Sequence, residues 1–312
     1  MMAKGYVIYN PKAGDGRSEE NAKLLPLVLD EELQYYDMTR ITNYAAFLGG
    51  MEQEDYLVIV GGDGTLNRFV NDTAGIDIPQ EILYFPGGTG NDFAKDLGKD
   101  GWGKPFSITK YIKNLPSVEV KGKTYRFING VGFGIDGYCC QIGDELKKIP
   151  GKRVNYTAIA INGLLFQFSA RNAKVTVDGK EYAYEKVWIA PTMHGKYYGG
   201  GMIPTPEQNR TSDALSVMLF HGAGRLRTLC VFPGIFKGEH IKHTKMVAIH
   251  TGHEITVEFD RPTPLQIDGE TILDVTSYTA RSAKKGEGLP AYAIKERYKT
   301  ASNGLAGEPT IL

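Results

Sequence analysis

The chain has 312 residues, which is enough for two domains of ordinary size with substantial cores. Its 36 acidic residues balance its 36 basic residues, so no overall charge attracts the protein to nucleic acid or to an anionic membrane. Three cysteines, two of them adjacent, provide neither a disulfide framework nor a metal-ligand spacing. The sequence has no secretory signal and no run of about 20 apolar residues, and it therefore predicts a cytoplasmic protein.

The first third of the chain alternates predicted strands with predicted helices. The strands fall at 5–9, 33–38, 56–60 and 82–85, and the helices at 18–30, 42–48 and 91–97. Ser18 is placed as the cap of the first helix and Pro26 as a kink within it. Strands that alternate with helices predict a mostly parallel, doubly wound α/β sheet, whose ligands bind at the carboxyl ends of the strands.

Three glycine-rich loops follow predicted strands, at 10–16, 61–65 and 86–92. A glycine turn between a strand and a helix presents backbone N–H groups to phosphate. The middle loop reads GGDGT and carries Asp63 between its glycines. A carboxylate at this point would repel phosphate unless a Mg²⁺ ion or a proton transfer is involved. The loops therefore predict phosphate chemistry as well as phosphate binding.

After about residue 117 the chain becomes mostly β. Short strands are predicted at 173–177, 182–187, 215–220, 246–250, 254–259, 265–267 and 272–278, and helical segments at 138–148, 153–168 and 225–237. The pair Asp178-Gly179 between the first two strands is a strong hairpin signal. The predicted fold class is α/β plus β. A doubly wound nucleotide-binding domain spans 1–125 and a β-sandwich-like domain spans 126–284, with the active site in the cleft between them and a tail, 285–312, that could pack back on the first domain.

Five motifs occur in order along the chain: YNPKAG at 9–14, GGDGTLN at 61–67, FPGGTGNDFA at 85–94, YYGGGM at 197–202 and QIDGE at 266–270. In this order and at these separations they resemble the diacylglycerol kinase catalytic domain family, within the wider group of lipid kinases and NAD kinases. The resemblance covers nearly the whole chain. It implies ATP and Mg²⁺ as cofactors and a membrane lipid as the second substrate, and YNPKAG together with YYGGGM favours the lipid branch over NAD kinases.

The resemblance also implies roles for particular residues. Glu270 is the implied base for the lipid hydroxyl, Asp268 orients it or binds metal, and Asp63 faces the transferred phosphate through Mg²⁺. The implied metal ligands are Asp63, Asp92 and Asp213. The implied nucleotide-binding residues lie on the three loops: Asn10, Lys12, Gly61, Gly62, Gly64, Thr65, Gly87, Gly88, Thr89 and Asn91.

Ordinary structural explanations exist for the same motifs. The segments 10–14 and 197–201 suit simple turns, Asp63, Asn91 and Asp92 suit helix caps, and Asp268-Gly269 suits a hairpin turn. If 266–270 is instead a straight strand, Asp268 and Glu270 lie on one face. Their repulsion then raises one pKa, which suits a proton acceptor.

One segment departs from the family pattern. The family commonly has an acidic Asp-Gly-x-Leu segment around a structural Mg²⁺. This chain has Arg210, Thr211 and Ser212 before Asp213, and Ala214 in place of the glycine. The second metal site is therefore in doubt, and Glu119 is a weaker candidate for the phosphate or metal network. His194 belongs to no motif and is left out of the predicted site.

The predicted function is an ATP-dependent lipid kinase that phosphorylates a hydroxyl of a diacylglycerol-like lipid to give phosphatidic acid. Kinases of another lipid, such as a sphingoid base or phosphatidylglycerol, stay open, as does a non-catalytic nucleotide- or lipid-binding regulator. The basic stretch 147–153 before the apolar stretch 156–168 suits either peripheral membrane contact or a solvated loop before a core helix. We expect transient membrane association, no nucleic-acid partner, and leave a homodimer open.

Overall fold

The computed structural model describes residues 3–13, 16–88, 90–100, 103–149, 151 and 154–283. Thr89 and the tail 285–312 lie outside the described residues, so the expectations for them stay predictions. Two sheets organise the described chain, a five-stranded sheet followed by a ten-stranded sheet. No helix within the described ranges is both long and apolar enough to cross a membrane.

The first sheet consists of β1 (Lys4–Tyr9), β2 (Glu32–Asp37), β3 (Tyr56–Gly61), β4 (Glu81–Pro86) and β5 (Phe106–Ser107). The strand order is β2-β1-β3-β4-β5, with β1 to β4 parallel and β5 antiparallel to β4. All six residues of β3 are buried, as expected for a strand covered on both faces. The connections lead outward from β1 on one side and from β3 on the other. The gap between these two strands is therefore the switch point at which ligands bind in such sheets.

Five short helices accompany this sheet: α1 (Ser18–Ala22), α2 (Tyr44–Gly49), α3 (Asp63–Asp72), α4 (Asp92–Asp96) and α5 (Thr109–Ile112). The predicted helix 18–30 is wrong in length, because it ends at Ala22 and is followed by a 3₁₀ turn, Leu25–Leu27. The ring of Pro26 would clash with the carbonyl of residue 22, four positions earlier, if the helix continued. Ser18 does not cap the helix; its hydroxyl donates to the Val60 carbonyl at 3.0 Å and ties α1 to β3.

The second sheet is antiparallel and begins before the predicted division at residue 125. Its central order is β13-β12-β11-β8-β14-β15-β6-β7, with β9 beside β14 and β10 beyond it. The strands are β6 (Ser117–Val120), β7 (Lys123–Arg126), β8 (Gly130–Phe133), β9 (Arg171–Val177), β10 (Lys180–Val187), β11 (Thr192–Met193), β12 (Leu215–Phe220), β13 (Val247–Gly252), β14 (Glu254–Ile267) and β15 (Glu270–Arg281). The side chains of these strands bury a common core that includes Val131, Val217 and Val257.

The longest strand, β14, was predicted as two separate strands. It is continuous, but its register with β15 shifts between Glu258 and Thr263. Pro262 and Pro264 lie at this shift, and since proline cannot donate to a neighbouring strand, it is found where the pairing is irregular. The two prolines therefore interrupt the strand pattern in the sequence, but the strand itself continues through them.

Three helices pack against the second sheet: α6 (Ile135–Lys147), α7 (Tyr156–Asn162) and α8 (Arg225–Val231). A π-helical turn, Gly163–Gln167, continues α7, and a 3₁₀ turn, Phe232–Lys237, continues α8. The predicted helical segments 138–148, 153–168 and 225–237 thus correspond to observed helical structure. The architecture as a whole is the predicted combination of an α/β domain and a β-sandwich-like domain.

Candidate active site

The three predicted glycine loops lie at one edge of the first sheet. They follow β1, β3 and β4, which are adjacent and parallel, so their carboxyl ends meet on the same side. The loops after β1 and β3 flank the switch point. The helix α3 starts directly after Gly62, and the N–H groups of its first turn have no helical acceptors. This edge therefore offers backbone donors and the positive end of a helix to an anion.

Two of the loops touch through their glycines. A Cβ atom on Gly88 would lie 2.4 Å from the Cα atom of Gly62, and a Cβ atom on Gly62 would lie 3.0 Å from the Cα atom of Gly88. A Cβ on Gly61 would meet the Thr65 side chain, and one on Gly87 the Asn21 amide, whereas a Cβ on Gly64 has nothing within 4 Å. Four of the five glycines predicted to bind nucleotide are therefore required for close packing of the loops, and only Gly64 borders open space.

The polar loop residues mostly shape the loops. Asn10 Oδ1 accepts from the Lys12 backbone N–H at 3.0 Å, while Lys12 itself is exposed. Asn91, in a left-handed conformation with φ 47°, accepts from Gly88 N at 3.0 Å and donates to Gly88 O at 2.8 Å. Thr65 Oγ1 is buried without a hydrogen-bond partner in the described chain. Among the described residues, Lys12 and Thr65 are thus the predicted nucleotide-binding residues whose side chains make no hydrogen bond to the chain itself.

Asp63 caps a helix, although not the helix that follows it. Its Oδ2 accepts from Asp92 N at 2.8 Å and its Oδ1 from Phe93 N at 2.9 Å, at the start of α4. Asn129 Nδ2 also donates to Oδ1, at 3.1 Å. Because both carboxylate oxygens already accept N–H donors, Asp63 holds the second and third motifs together, and its predicted role towards a metal stays a prediction.

Asp92 carries the free carboxylate oxygen of this region. Its Oδ2 accepts from Gly200 N at 2.8 Å, which joins the third loop to the YYGGGM segment. Its Oδ1 is buried and has no hydrogen-bond partner in the described chain. Burial, together with the charge of Asp63, raises the pKa of Asp92 to about 7. A buried, unpaired carboxylate oxygen of this kind is costly unless a cation or a proton satisfies it.

The predicted metal ligands Asp63, Asp92 and Asp213 do not form a common cluster. Within the described residues no group of three or more His, Cys, Asp or Glu side chains could hold a metal ion. Asp213 is exposed on the loop before β12. Mg²⁺ commonly uses only one or two carboxylates together with substrate phosphates. The arrangement around Asp92 fits such a phosphate-carried ion, and the metal-binding roles predicted for Asp63 and, at a second site, for Asp213 stay predictions.

Arg210 belongs to the segment 210–214, which departs from the family pattern. Its side chain is 3% exposed and its Nε atom forms an ion pair with Asp96 at 2.7 Å, at the end of α4. Nη2 donates to Asn129 Oδ1 at 2.7 Å, and Nη1 donates to the Ile128 carbonyl. The guanidinium also lies over the Phe93 ring, 4.5 Å from its centroid. The Arg210 guanidinium therefore joins the two domains at their boundary. From the sequence, Arg210 could be recognised only as a basic residue where the family has acidic ones.

Asp268 and Glu270 occupy a hairpin turn and not a straight strand. Asp268 and Gly269 have φ values of 47° and 95°, and Ile267 pairs with Glu270 across the turn. Of the two alternatives for this segment, the hairpin turn is therefore the one present, because the chain reverses at Gly269. Burial is the main cause that raises the pKa of Asp268.

Asp268 is surrounded by hydrogen-bond donors. Its Oδ1 accepts from the backbone N–H groups of Asn129 and Gly130, at 2.8 and 3.0 Å. Its Oδ2 accepts from Ile128 N at 2.6 Å and from Asn67 Nδ2 at 2.8 Å. Glu270 is exposed, and no hydrogen bond or ion pair to its carboxylate occurs within the described residues. Asp268 thus fixes the hairpin turn against residues 128–130, whereas the Glu270 carboxylate is available to a ligand.

Asn129 is the central residue that sequence reasoning missed. Its amide donates to Asp63 and accepts from Arg210, and its backbone N–H donates to Asp268. It stands at the passage from the first domain to the second and belongs to none of the five motifs. Two predicted motifs, GGDGTLN through Asp63 and QIDGE through Asp268, and Arg210 therefore meet at one asparagine, with Glu270 two residues beyond Asp268.

We expect Asp92→Asn to stabilise the protein at high pH. The raised pKa means that the folded state binds a proton which the unfolded state loses near pH 4, so wild-type stability falls as the pH rises from about 4 to 7. The difference in free energy of unfolding should grow to at most about 4 kcal/mol at pH 8 and be small at pH 4. Urea unfolding at both pH values measures it, with exposed Asp77→Asn as control. A difference that does not change with pH would contradict the assignment.

The fold and the site together define a two-domain protein in which the glycine loops at the edge of the first sheet are joined to an interdomain hairpin through Asn129. Residues 4–121 match the diacylglycerol kinase catalytic domain, and residues 129–282 match the YegS C-terminal NAD kinase beta sandwich-like domain. The chain belongs to the diacylglycerol kinase catalytic domain family, with this β-sandwich-like domain as its second half. The resemblance predicted from the five motifs is confirmed.

Individual relatives are distant. YtlR of Bacillus subtilis, described as a candidate lipid kinase, is 24% identical over 247 residues, which cover 73% of this chain and 77% of that protein. A diacylglycerol kinase of Mycobacterium tuberculosis is 26% identical over 203 residues, which cover 60% of this chain and 62% of that protein. The crystal structure of a diacylglycerol kinase from Bacillus anthracis str. Sterne has a TM-score of 0.57 at 19% identity and covers 90% of this chain and 94% of that chain. At this identity the structural likeness shows the fold alone.

Proposed function

We propose that the protein is an ATP-dependent lipid kinase that transfers the γ-phosphate of ATP to a hydroxyl of a diacylglycerol-like lipid. The observation that carries the proposal is the meeting of the glycine loops with the Asp268–Glu270 hairpin at Asn129. The glycine loops offer backbone N–H groups that can hold phosphate, and the hairpin offers an unpaired carboxylate that can accept a proton. Phosphoryl transfer to a hydroxyl requires both. Family membership and the names of the relatives support a lipid as the acceptor.

The nucleotide would bind along the edge of the first sheet. The first turn of α3 offers backbone N–H groups to the phosphates, Gly64 leaves space for them, and Lys12 provides an exposed positive charge. A bound Mg²⁺ would neutralise charge on the phosphates. Asp92 Oδ1 is the ligand that the chain would offer to it, because among the described residues of this region it is the buried carboxylate oxygen without a hydrogen-bond partner.

Glu270 would accept the proton of the lipid hydroxyl. The hydroxyl oxygen forms a bond to the γ-phosphorus, the bond between that phosphorus and the ADP oxygen breaks, and the hydroxyl proton moves to the carboxylate. Asp268 would act on this step indirectly, since its four hydrogen bonds hold the hairpin against residues 128–130. The acceptor stays in a bilayer, so the protein must approach a membrane surface.

Phosphate transfer from radiolabelled ATP to lipids in mixed micelles tests the proposal. We expect label in phosphatidic acid with diacylglycerol as acceptor, loss of transfer when the divalent cation is chelated, and recovery when Mg²⁺ is restored. Sphingoid bases and phosphatidylglycerol are offered in parallel, and label in one of these would replace the acceptor but keep the kinase. If the protein binds Mg-ATP and labels no lipid, the kinase proposal fails and a non-catalytic regulator explains the fold.

A further inference from the structure

Four large apolar side chains are exposed on two neighbouring helical segments of the second domain. Phe166 on the π-helical turn is 71% exposed and Leu226 on α8 is 74% exposed. Ile161 on α7 and Phe236 on the 3₁₀ turn are also exposed. We call these four residues the apolar face. Single exposed apolar residues are common in proteins, but a group of large ones on adjoining elements is typical of an interaction site.

The two segments form one unit. The Arg225 guanidinium at the start of α8 donates to the carbonyls of Leu164 and Phe168, at 2.8 and 2.7 Å, and so spans the π-helical turn. The inward side chains of both segments, among them Leu164 and Ile235, belong to a single buried cluster. Because their inner sides are already packed, the apolar face is the remaining outer side of a fixed surface.

The surroundings of the apolar face are positively charged. The stretches 146–170 and 224–238 contain four and three basic residues and no acidic residue, in a chain whose net charge is zero. Lys148, Arg227 and Lys237 are exposed and form no ion pair within the described residues. Large apolar side chains bordered by unpaired basic ones match the chemistry of an anionic lipid surface, which has acyl chains beneath negative headgroups.

The elements that carry the apolar face are joined to the candidate active site. Ile203 N donates to Ile235 O at 2.9 Å, which links the 3₁₀ turn to the end of the YYGGGM segment. The same segment donates to Asp92 through Gly200 N. At the other end, the Tyr198 hydroxyl donates to Asp136 on α6 at 3.3 Å. The 3₁₀ turn that carries Phe236 is therefore joined by hydrogen bonds to the segment that borders Asp92.

We propose that the apolar face and its basic border, Lys148, Arg227 and Lys237, dock the protein on an anionic bilayer and present a lipid hydroxyl to the cleft. This inference rests on the proposed function, because it takes the acceptor to be a bilayer lipid. Docking itself requires neither ATP nor turnover. It can therefore be measured separately from the kinase reaction.

Sedimentation with vesicles of phosphatidylcholine, with or without phosphatidylglycerol, tests docking in the absence of nucleotide. We expect Phe166→Ser/Leu226→Ser to weaken vesicle binding by about tenfold or more. Arg227→Gln/Lys237→Gln should weaken binding by about tenfold on vesicles with phosphatidylglycerol and change little on vesicles without it. Leu27→Ser is the matched control, because Leu27 is also 71% exposed but lies in the first domain. Unchanged thermal unfolding checks that each variant is folded.

The outcomes separate docking from catalysis. If both double variants bind vesicles like wild type, the docking proposal is overturned, whatever the protein phosphorylates. If wild type is a dimer that Phe166→Ser/Leu226→Ser dissociates while vesicle binding persists, the apolar face is an interface between copies and docking is also overturned. If vesicle binding falls as expected but no lipid is phosphorylated, docking stands and the kinase proposal fails. In an active kinase, the same variants should lose activity on vesicles and keep it on a short-chain, monomeric diacylglycerol.

Discussion

Arg210→Met is expected to lower the free energy of unfolding by about 3–5 kcal/mol, because it leaves Asp96 as a buried carboxylate without its cation. The side chains of this ion pair are 3% and 8% exposed, so water cannot replace the lost partner. The same change also leaves Asn129 Oδ1 and the Ile128 carbonyl without a donor. Urea unfolding of wild type and variant at pH 7 measures the loss.

Two further variants isolate the buried pair. Arg210→Met/Asp96→Leu removes both charges and should be less destabilised than Arg210→Met alone, since no uncompensated charge remains. Arg281→Met removes exposed pairs with Glu254 and Glu119, whose side chains are 56% and 52% exposed, and should cost at most about 1 kcal/mol. If Arg210→Met costs no more than Arg281→Met, Arg210 does not hold the domain boundary together.

Arg210→Lys separates charge from geometry at the same position. Lysine keeps the positive charge but cannot reach Asp96, Asn129 and Ile128 together, because it lacks the planar fork of donors. Stability should therefore recover only in part. Since Asn129 also donates to Asp63, this variant should impair the candidate site through displacement of that asparagine.

The positions of the loops could be predicted from the sequence, whereas the partners of their carboxylates could not. Strand ends are marked by apolar runs such as 56–60 that stop at glycine, and parallel order follows from the alternation with helices. The edge of the first sheet was therefore predictable. Asp63, however, caps α4, which starts 29 residues later, and Asp268 binds Asn67, which lies 201 positions earlier. Nothing in the local pattern selects partners at such separations.

Asn129 shows why a motif is insufficient to define this site. It lies between β7 and β8, directly before Gly130, Gly132 and Gly134, and a single asparagine at a strand start has no periodicity that marks it as a site residue. Its importance comes from hydrogen bonds to residues of two different motifs, Asp63 and Asp268, and to Arg210. The sequence predicted correctly that the motifs lie in a common region, but the residue that joins them is visible only after the chain has folded.

Glu270→Gln is expected to lower kcat by about 10²–10⁴-fold if this carboxylate accepts the proton of the lipid hydroxyl. ATP binding and the unfolding midpoint should be nearly unchanged, because Glu270 is exposed and holds no other part of the described structure. Phosphate transfer to diacylglycerol in mixed micelles, together with nucleotide binding by calorimetry, measures both quantities.

Asp274→Asn is the matched control, because Asp274 is an equally exposed acid on the same strand, four residues further on. It should retain wild-type kcat, since its carboxylate lies away from the hairpin turn. If Glu270→Gln keeps wild-type turnover, Glu270 is not the base. Asp92 is then the alternative base, because burial raises its pKa to about 7 and its carboxyl can take up a proton near neutral pH. The rate would then fall with Asp92→Asn and stay low at high Mg²⁺ concentration, whereas recovery at high Mg²⁺ would indicate a weakened metal site and not a lost base.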